Sequence, residues 1–380
     1  MGKLPVTVIT GFLGAGKTTL IRHLLTHSEG RRLAVLVNEF GEIGIDGELL
    51  RDCQICDEGS TGEALQPAAV EAEANIVELT NGCLCCTVQE EFLPAMQALL
   101  RRRDRLDAVV IETSGLALPQ PLVQAFRWPE IRTQATVDSV VTVVDAEAIA
   151  AGEVVQDVAA LEAQRSADPN LDHETSIDEL FADQIACADL VLLTKLDRLE
   201  QAQQKAVQQQ LVRQLPAGVS VVSCSQGRLA PQVLLGLGVE AEMDLDPRRA
   251  SHDHEDHEHE HDHDHDHDER ITSVQVTFDQ PVAPQRLIER LRALGEIYDL
   301  YRVKGFVNVP QKPMRLVLQG VGRRFDTFYD RLWHPDEPRQ TRLILIGNQL
   351  DKADIEAALL PPMSSLSSQS RQSTPPIISI

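Results

Sequence analysis

Residues Gly11 to Thr18 read G-F-L-G-A-G-K-T. This is the G-x-x-x-x-G-K-[ST] pattern of a phosphate-binding loop. Residues 4–10, L-P-V-T-V-I-T, are short, apolar and β-branched, and read as a strand. Residues 19–25, T-L-I-R-H-L-L, carry helical periodicity. The motif therefore lies between a strand and a helix, as its chemistry requires. Gly11, Gly14 and Gly16 let the backbone of this loop, with Ala15 between them, wrap a polyphosphate. The N–H groups at the helix start, through Thr19, face that anion. Lys17 is expected to reach the β- and γ-phosphates as a catalytic charge, and the Thr18 hydroxyl to hold Mg2+.

Working outward, strand-like runs recur at 33–37, 76–79, 108–111, 140–144, 190–193 and 219–222. Near-continuous apolar runs of that length fit strands buried on both faces of a parallel sheet. Residues 92–100 and 201–215 read as crossover helices. The expected class is α/β: a P-loop, doubly wound, mostly parallel sheet. This first domain is expected to span residues 1–247. Residues 248–270 are charged and lack apolar anchors, and read as a disordered linker. Residues 271–360 hold further strands, 272–278 and 314–318, with a helix at 284–294, and read as a smaller α+β C-terminal domain. Residues 361–380 are rich in Ser and Pro and read as a disordered tail.

Composition narrows the partners. The 380 residues hold 35 Lys and Arg against 58 Asp and Glu, a net charge of −23. That disfavours nucleic acid and anionic membranes and suits cations. No apolar run approaches membrane-spanning length. The seven cysteines are clustered, which fits a metal or redox site in a reducing cytoplasm better than a disulfide framework.

Two further motifs complete the nucleotide reading. T-K-L-D at Thr194, Lys195, Leu196 and Asp197 follows a strand and approximates N-K-x-D. The Asp197 carboxylate can accept from guanine N1–H and the 2-amino group, a pattern adenine lacks. The Lys195 stem can pack on the base, while Thr194 stands where an amide is usual. The other reading of Asp197 is a helix cap. Asp145, at another strand end, reads as a cap alone. Glu112 ends the strand at 108–111, in I-E-T-S-G, where a carboxylate can order Mg2+ or its water. Gly115 can offer the γ-phosphate a backbone N–H.

Cys83-Leu84-Cys85-Cys86 carries the metal signal. A T-x-x-E capping box at Thr87 and Glu90 marks a helix start, where the dipole favours thiolate. Three thiolates suit Zn2+ or Co2+ in tetrahedral geometry with one position open. Packing cysteines or a redox pair are the alternatives. Cys53 and Cys56 form a C-x-x-C in an acidic stretch and read as an exposed loop. Eight histidines alternate with acids from His252 to His267, which suits weak, exchanging metal capture.

In this order the motifs resemble the CobW family, metallochaperone GTPases related to the nickel-insertion GTPases of hydrogenase and urease. The resemblance covers residues 3–347. It includes V-N-E-F-G at 37–41, like the family's first switch, and R-V-K-G-F at 302–306, like its C-terminal domain. D-G-E-L-L at 46–50 and Q-E-E-F at 89–92 look closest to the cobalamin-biosynthesis branch. The resemblance implies GTP hydrolysis coupled to delivery of Co2+ or Zn2+ to a client metalloprotein, with Glu39 joining the switch and metal residues. Cobalt supply to the cobalt chelatase of cobalamin synthesis is the preferred role. A zinc chaperone, and a His-rich buffer with a vestigial NTPase, are the rivals.

Overall fold

The computed structural model describes residues 3–28, 30–38, 76–79, 92–167, 175–216, 219–235, 271–322 and 324–360. Seven strands form the first sheet: β1 (Leu4–Thr10), β2 (Leu33–Asn38), β3 (Ile76–Leu79), β4 (Ala108–Glu112), β5 (Ala135–Asp145), β6 (Leu190–Thr194) and β7 (Ser220–Cys224). Their order is β3-β2-β4-β1-β5-β6-β7, and every pairing is parallel. The chain fills one side of β1 first and then the other. The carboxyl end of β1 is therefore a topological switch point, where open α/β sheets bind ligands.

Side-chain alternation divides the sheet between two cores. Ile9, Val35, Val110 and Val143 face α1 (Lys17–Thr26), which buries Leu20, Ile21 and Leu24. Val8, Leu36, Val109 and Ile111 face the other way, toward Met96 of α2 (Leu93–Leu100) and Leu122 of α3 (Pro119–Ala125). Helices follow as α4 (Pro129–Arg132), α5 (Ala146–Ala150), α6 (Val158–Ala167), α7 (Ile177–Ala186), α8 (Gln201–Gln214) and α9 (Pro231–Leu234). A capping box of Ser176 and Glu179 fixes the start of α7.

The expected α/β class holds, and so does a second, smaller α+β unit. Its five strands are β8 (Ile271–Phe278), β9 (Leu300–Val307), β10 (Met314–Val321), β11 (Arg324–Leu332) and β12 (Thr341–Asn348). All pairs are antiparallel, in the order β11-β10-β9-β12-β8. On one face α10 (Pro284–Leu294) buries Leu287, Leu291 and Leu294, spaced four and three apart as a helical stripe requires. Beside it, α11 (Lys352–Leu359) contributes Ile355 and Leu359. The opposite face meets the first sheet: Tyr301, Ile344 and Ile346 share a core with Ile9 and Leu24. In that contact Asp138 of β5 pairs with Arg302 and Lys304 of β9, all three buried.

At the far edge, Arg315 stacks its guanidinium 3.6 Å from the centroid of the Phe306 ring. It pairs with Asp330 at 2.5 Å and Glu337 at 3.2 Å, and Arg331 reaches Glu337 at 2.6 Å. Burial works against the Glu337 carboxylate. The Arg331 hydrogen bond, the His334 N–H and the charges of Arg331 and Arg315 outweigh it and hold the group at about 2, below its ordinary 4.5. A lowered folded value stabilises above the unfolded value, and that stabilisation fades as pH falls toward the folded one. Glu337→Gln is thus expected to be less stable than the unaltered chain at neutral pH, with the gap closing steadily below about pH 4.5. Urea unfolding across that window checks this; a pH-independent gap would contradict it.

Candidate functional site

The carboxyl ends of β1, β4, β5, β6 and β7 bring the nucleotide residues together. After β1 the loop turns through Gly11 at φ +130°, where a side chain's first carbon would lie 2.2 Å from the Val143 carbonyl oxygen. Only glycine fits there. Gly14 and Gly16 also have positive φ, at 74° and 104°. Gly16 ends the loop, and no side chain caps α1. The first turn of such a helix is the kind of backbone N–H cluster that binds anions. Lys17 is buried and its ammonium donates to the Phe12 carbonyl at 3.2 Å, across the loop. Ala15 is buried, Thr18 half-buried and Thr19 exposed.

Glu112 is buried at the end of β4, beside Ile9 of β1 and Val37 of β2 in register. The next residue ties this strand to the loop: the Thr113 N–H donates to Ile9 and its hydroxyl to the Thr10 hydroxyl at 2.9 Å. Gly115 then passes so close that a side-chain carbon would meet Leu13 N at 2.7 Å and Phe12 C at 3.2 Å. The segment carrying Glu112 and Gly115 lies directly against the phosphate-binding loop.

Thr194, Lys195 and Asp197 approach from β6. The Thr194 hydroxyl donates to the Ala15 carbonyl at 2.7 Å and to that of Val144 at 3.1 Å. The side chain is buried and spent on bracing the loop against β5. Lys195 sits in the left-handed region at φ 59°. Its ammonium pairs with Asp145 at 2.6 Å. Asp145 is more than the cap read from the sequence: one oxygen accepts from the N–H groups of Glu147 and Ala148, and the other holds Lys195. Asp197 lies exposed in a single helical turn, Leu196–Arg198, directly beyond.

The turn after β7 was not singled out in the sequence. Gln226 and Gly227 both have positive φ, and Gly227 approaches the Thr19 carbonyl closely enough that a side-chain carbon would sit 3.0 Å from it. S-Q-G after a buried strand is the sequence trace of this second wall beside α1. Gln184 was missed too. It is fully buried on α7, and its amide reaches the loop after β4.

The loop, Lys17 and Gly115 offer cationic and N–H donors of the kind a polyphosphate takes, with the Thr18 hydroxyl and the Glu112 carboxylate beside them as oxygen donors suited to magnesium. Thr18 and Glu112 are the groups that would hold the ion, which would supply charge neutralisation for a polyphosphate. The transition-metal residues Cys83, Cys85 and Cys86, the switch residue Glu39, the C-x-x-C of Cys53 and Cys56, and the histidine run 252–267 lie outside the described residues. Among the described residues no group of three or more His, Cys, Asp or Glu could hold a metal ion, and no helix is long and apolar enough to cross a membrane.

Residues 5–223 match the model of the CobW/HypB/UreG nucleotide-binding domain, and residues 271–360 match the cobalamin synthesis protein CobW C-terminal domain. The chain is 54% identical over 355 residues to the zinc chaperone CobW of Pseudomonas aeruginosa, covering 93% of this chain and 90% of that one. It is 46% identical to a zinc chaperone CobW of Sinorhizobium sp, covering 94% and 97%. It is 31% identical to the zinc chaperone YjiA of Escherichia coli, covering 94% and 98%.

Proposed function

The chain belongs to the CobW/HypB/UreG nucleotide-binding family, and from that premise we propose that it is a GTP-hydrolysing metallochaperone which carries Zn2+ on Cys83, Cys85 and Cys86. One observation carries the reading. Asn38 and Leu79 are register partners at the carboxyl ends of β2 and β3, and Glu112 on β4 is the neighbour of Val37. Glu39 follows Asn38 directly and Cys83 comes four residues after Leu79. β2 and β3 thus end as neighbours on the sheet edge that holds the phosphate-binding loop, and this supports a switch and a thiolate segment that act on one nucleotide.

In this reading Lys17 and the N–H groups of the loop bind the β- and γ-phosphates, Asp197 selects guanine, and Gly115 donates its N–H to the terminal phosphate. Thr194 and Asp145 keep the loop and Lys195 in place. The γ-phosphate draws the Glu39 and Cys83 segments toward the nucleotide and completes the cargo site; hydrolysis releases them. Zinc is favoured as cargo because the relatives above carry that name and because thiolate sites prefer Zn2+ to Co2+. Delivery of Co2+ to the chelatase of cobalamin synthesis is the competing assignment. A reducing cytoplasm would keep the thiols available.

Two comparisons test it. Asp197→Asn should weaken GTP binding about tenfold or more while leaving ATP binding as weak as before, since the amide presents a mismatched donor. Equal hydrolysis of ATP and GTP by the unaltered chain would sink the guanine assignment. Co2+ added with Mg2+ and GTP should give intense tetrahedral thiolate absorption, absent after Cys83→Ser, Cys85→Ser and Cys86→Ser together. A thiolate band that survives the triple change would move the site to other cysteines such as Cys53 and Cys56, whereas tight Co2+ binding with no thiolate band in the unaltered chain would move it to the histidine run and favour the buffer.

A further inference from the structure

We infer that Gln184 is a positioning residue that, by holding the turn after Glu112, sets the Gly115 N–H for the terminal phosphate, an inference that rests on the nucleotide site proposed above. Gln184 lies on α7 and is fully buried. Its side-chain Nε2 donates to the Gly115 carbonyl at 3.0 Å and to the Ala117 carbonyl at 3.2 Å. Its own backbone carbonyl accepts from the Thr142 hydroxyl of β5 at 3.0 Å. The residue therefore joins the β5 side of the sheet to the loop that follows Glu112.

The amide orientation is fixed by chemistry. Reversing it would press Oε1 against two carbonyl oxygens, which cannot donate. In the orientation present, Oε1 is buried without a hydrogen-bond partner among the described residues. A buried acceptor left so is unfavourable, and an apolar side chain of the same length would avoid it. Packing alone would thus favour Leu or Met at this position. What glutamine supplies, and they do not, is the pair of bonds to Gly115 and Ala117.

Those bonds add to a turn whose own ties are the Ala117 N–H to the Ser114 carbonyl at 3.0 Å and the long Leu116 N–H to the Ser114 hydroxyl at 3.5 Å. Gly115 has no side chain to restrict its backbone, and it passes against Leu13 and Phe12 too closely to accept one. No described residue accepts its N–H. Holding the carbonyls of residues 115 and 117 from the α7 side fixes the turn in which the Ala117 N–H donates to the Ser114 carbonyl, and because that carbonyl shares a peptide plane with the Gly115 N–H, the N–H is kept available on the phosphate side. The contact matters only when a γ-phosphate is present, because a diphosphate has nothing for Gly115 to meet.

The test uses the full-length protein with GDP, a non-hydrolysable GTP analogue and GTP, all with Mg2+. Gln184→Leu should leave the GDP dissociation constant within about twofold. It should weaken the GTP analogue about 5- to 30-fold, the scale of two lost hydrogen bonds, and lower kcat at saturating GTP by a similar factor. A residue with only a packing role would move GDP and the analogue together, or neither, and either outcome overturns the inference. If Gln184→Leu does not fold, Gln184→Met keeps the length and volume and is held to the same criterion. Absence of GTP binding by the unaltered chain removes the nucleotide reading and this one with it. Intact GTP binding with an indifferent Gln184 variant removes this one alone.

Discussion

Lys17→Ala is expected to lower GTP turnover by about 10²- to 10³-fold, the scale of removing one preorganised donor from a developing charge. The residue is buried and its ammonium donates to the Phe12 carbonyl, so it lies against the loop proposed to hold the phosphates. It can swing to the β- and γ-oxygens without entering from solvent. Alanine leaves the backbone N–H groups in place, so nucleotide binding should weaken less than turnover. Steady-state hydrolysis set against GDP affinity separates the two effects. A fall of less than about tenfold in turnover would mean that Lys17 is not aimed at the reacting phosphate.

Asp138→Ala is expected to be the most destabilising single change, by about 3–5 kcal/mol. The carboxylate sits between Arg302 and Lys304, with side chains only 1%, 1% and 2% exposed. Arg324 adds a hydrogen bond to the Asp138 carbonyl and pairs with Asp189 at 3.1 Å. Burial opposes ionisation of Asp138, yet the charges of Arg302, Lys304 and Arg324 hold it below the usual carboxylate range. Removing it takes a buried carboxylate away from two buried cations in the contact between the sheets. Its folded value lies below its unfolded one, so this stabilisation is present above about pH 4 and is lost as pH falls further. Changing Asp138→Ala together with Arg302→Met and Lys304→Met should recover much of the loss, since the two buried cations are then removed along with their carboxylate. Denaturant unfolding of the single and triple variants checks this; equal stabilities would mean that the cluster is not the source of the effect.

The same cluster shows where sequence reading stops. β5 was legible from Val140 onward because its residues are apolar. Its first residues, Ala135 to Ser139, include Thr136, Asp138 and Ser139 and do not read as a strand. They are polar because they meet the second sheet, and that contact lies 164 residues away in sequence. R-V-K-G-F was visible only as a resemblance. Arg302 and Lys304 alternate like an exposed face, yet all eight residues of β9 are buried. Gln184 left no local signal, since both its partners are backbone carbonyls near 115. The phosphate-binding loop was fully legible because its glycines, its lysine and its place after a strand are all local features. Asp145 was half legible: capping is local, whereas its pairing with Lys195 spans 50 residues. The residues assigned to the cargo metal rest on their spacing alone.

The most direct test of the coupling between nucleotide and cargo is the Zn2+ affinity of the full-length protein measured by competition with a chromophoric chelator, once with Mg2+ and a non-hydrolysable GTP analogue and once with Mg2+ and GDP. The triphosphate form is expected to bind one Zn2+ at least tenfold more tightly, about 1.4 kcal/mol of coupling, with the difference abolished by Cys83→Ser, Cys85→Ser and Cys86→Ser together. Zinc binding of the same strength in both nucleotide states would contradict a GTP-driven metallochaperone.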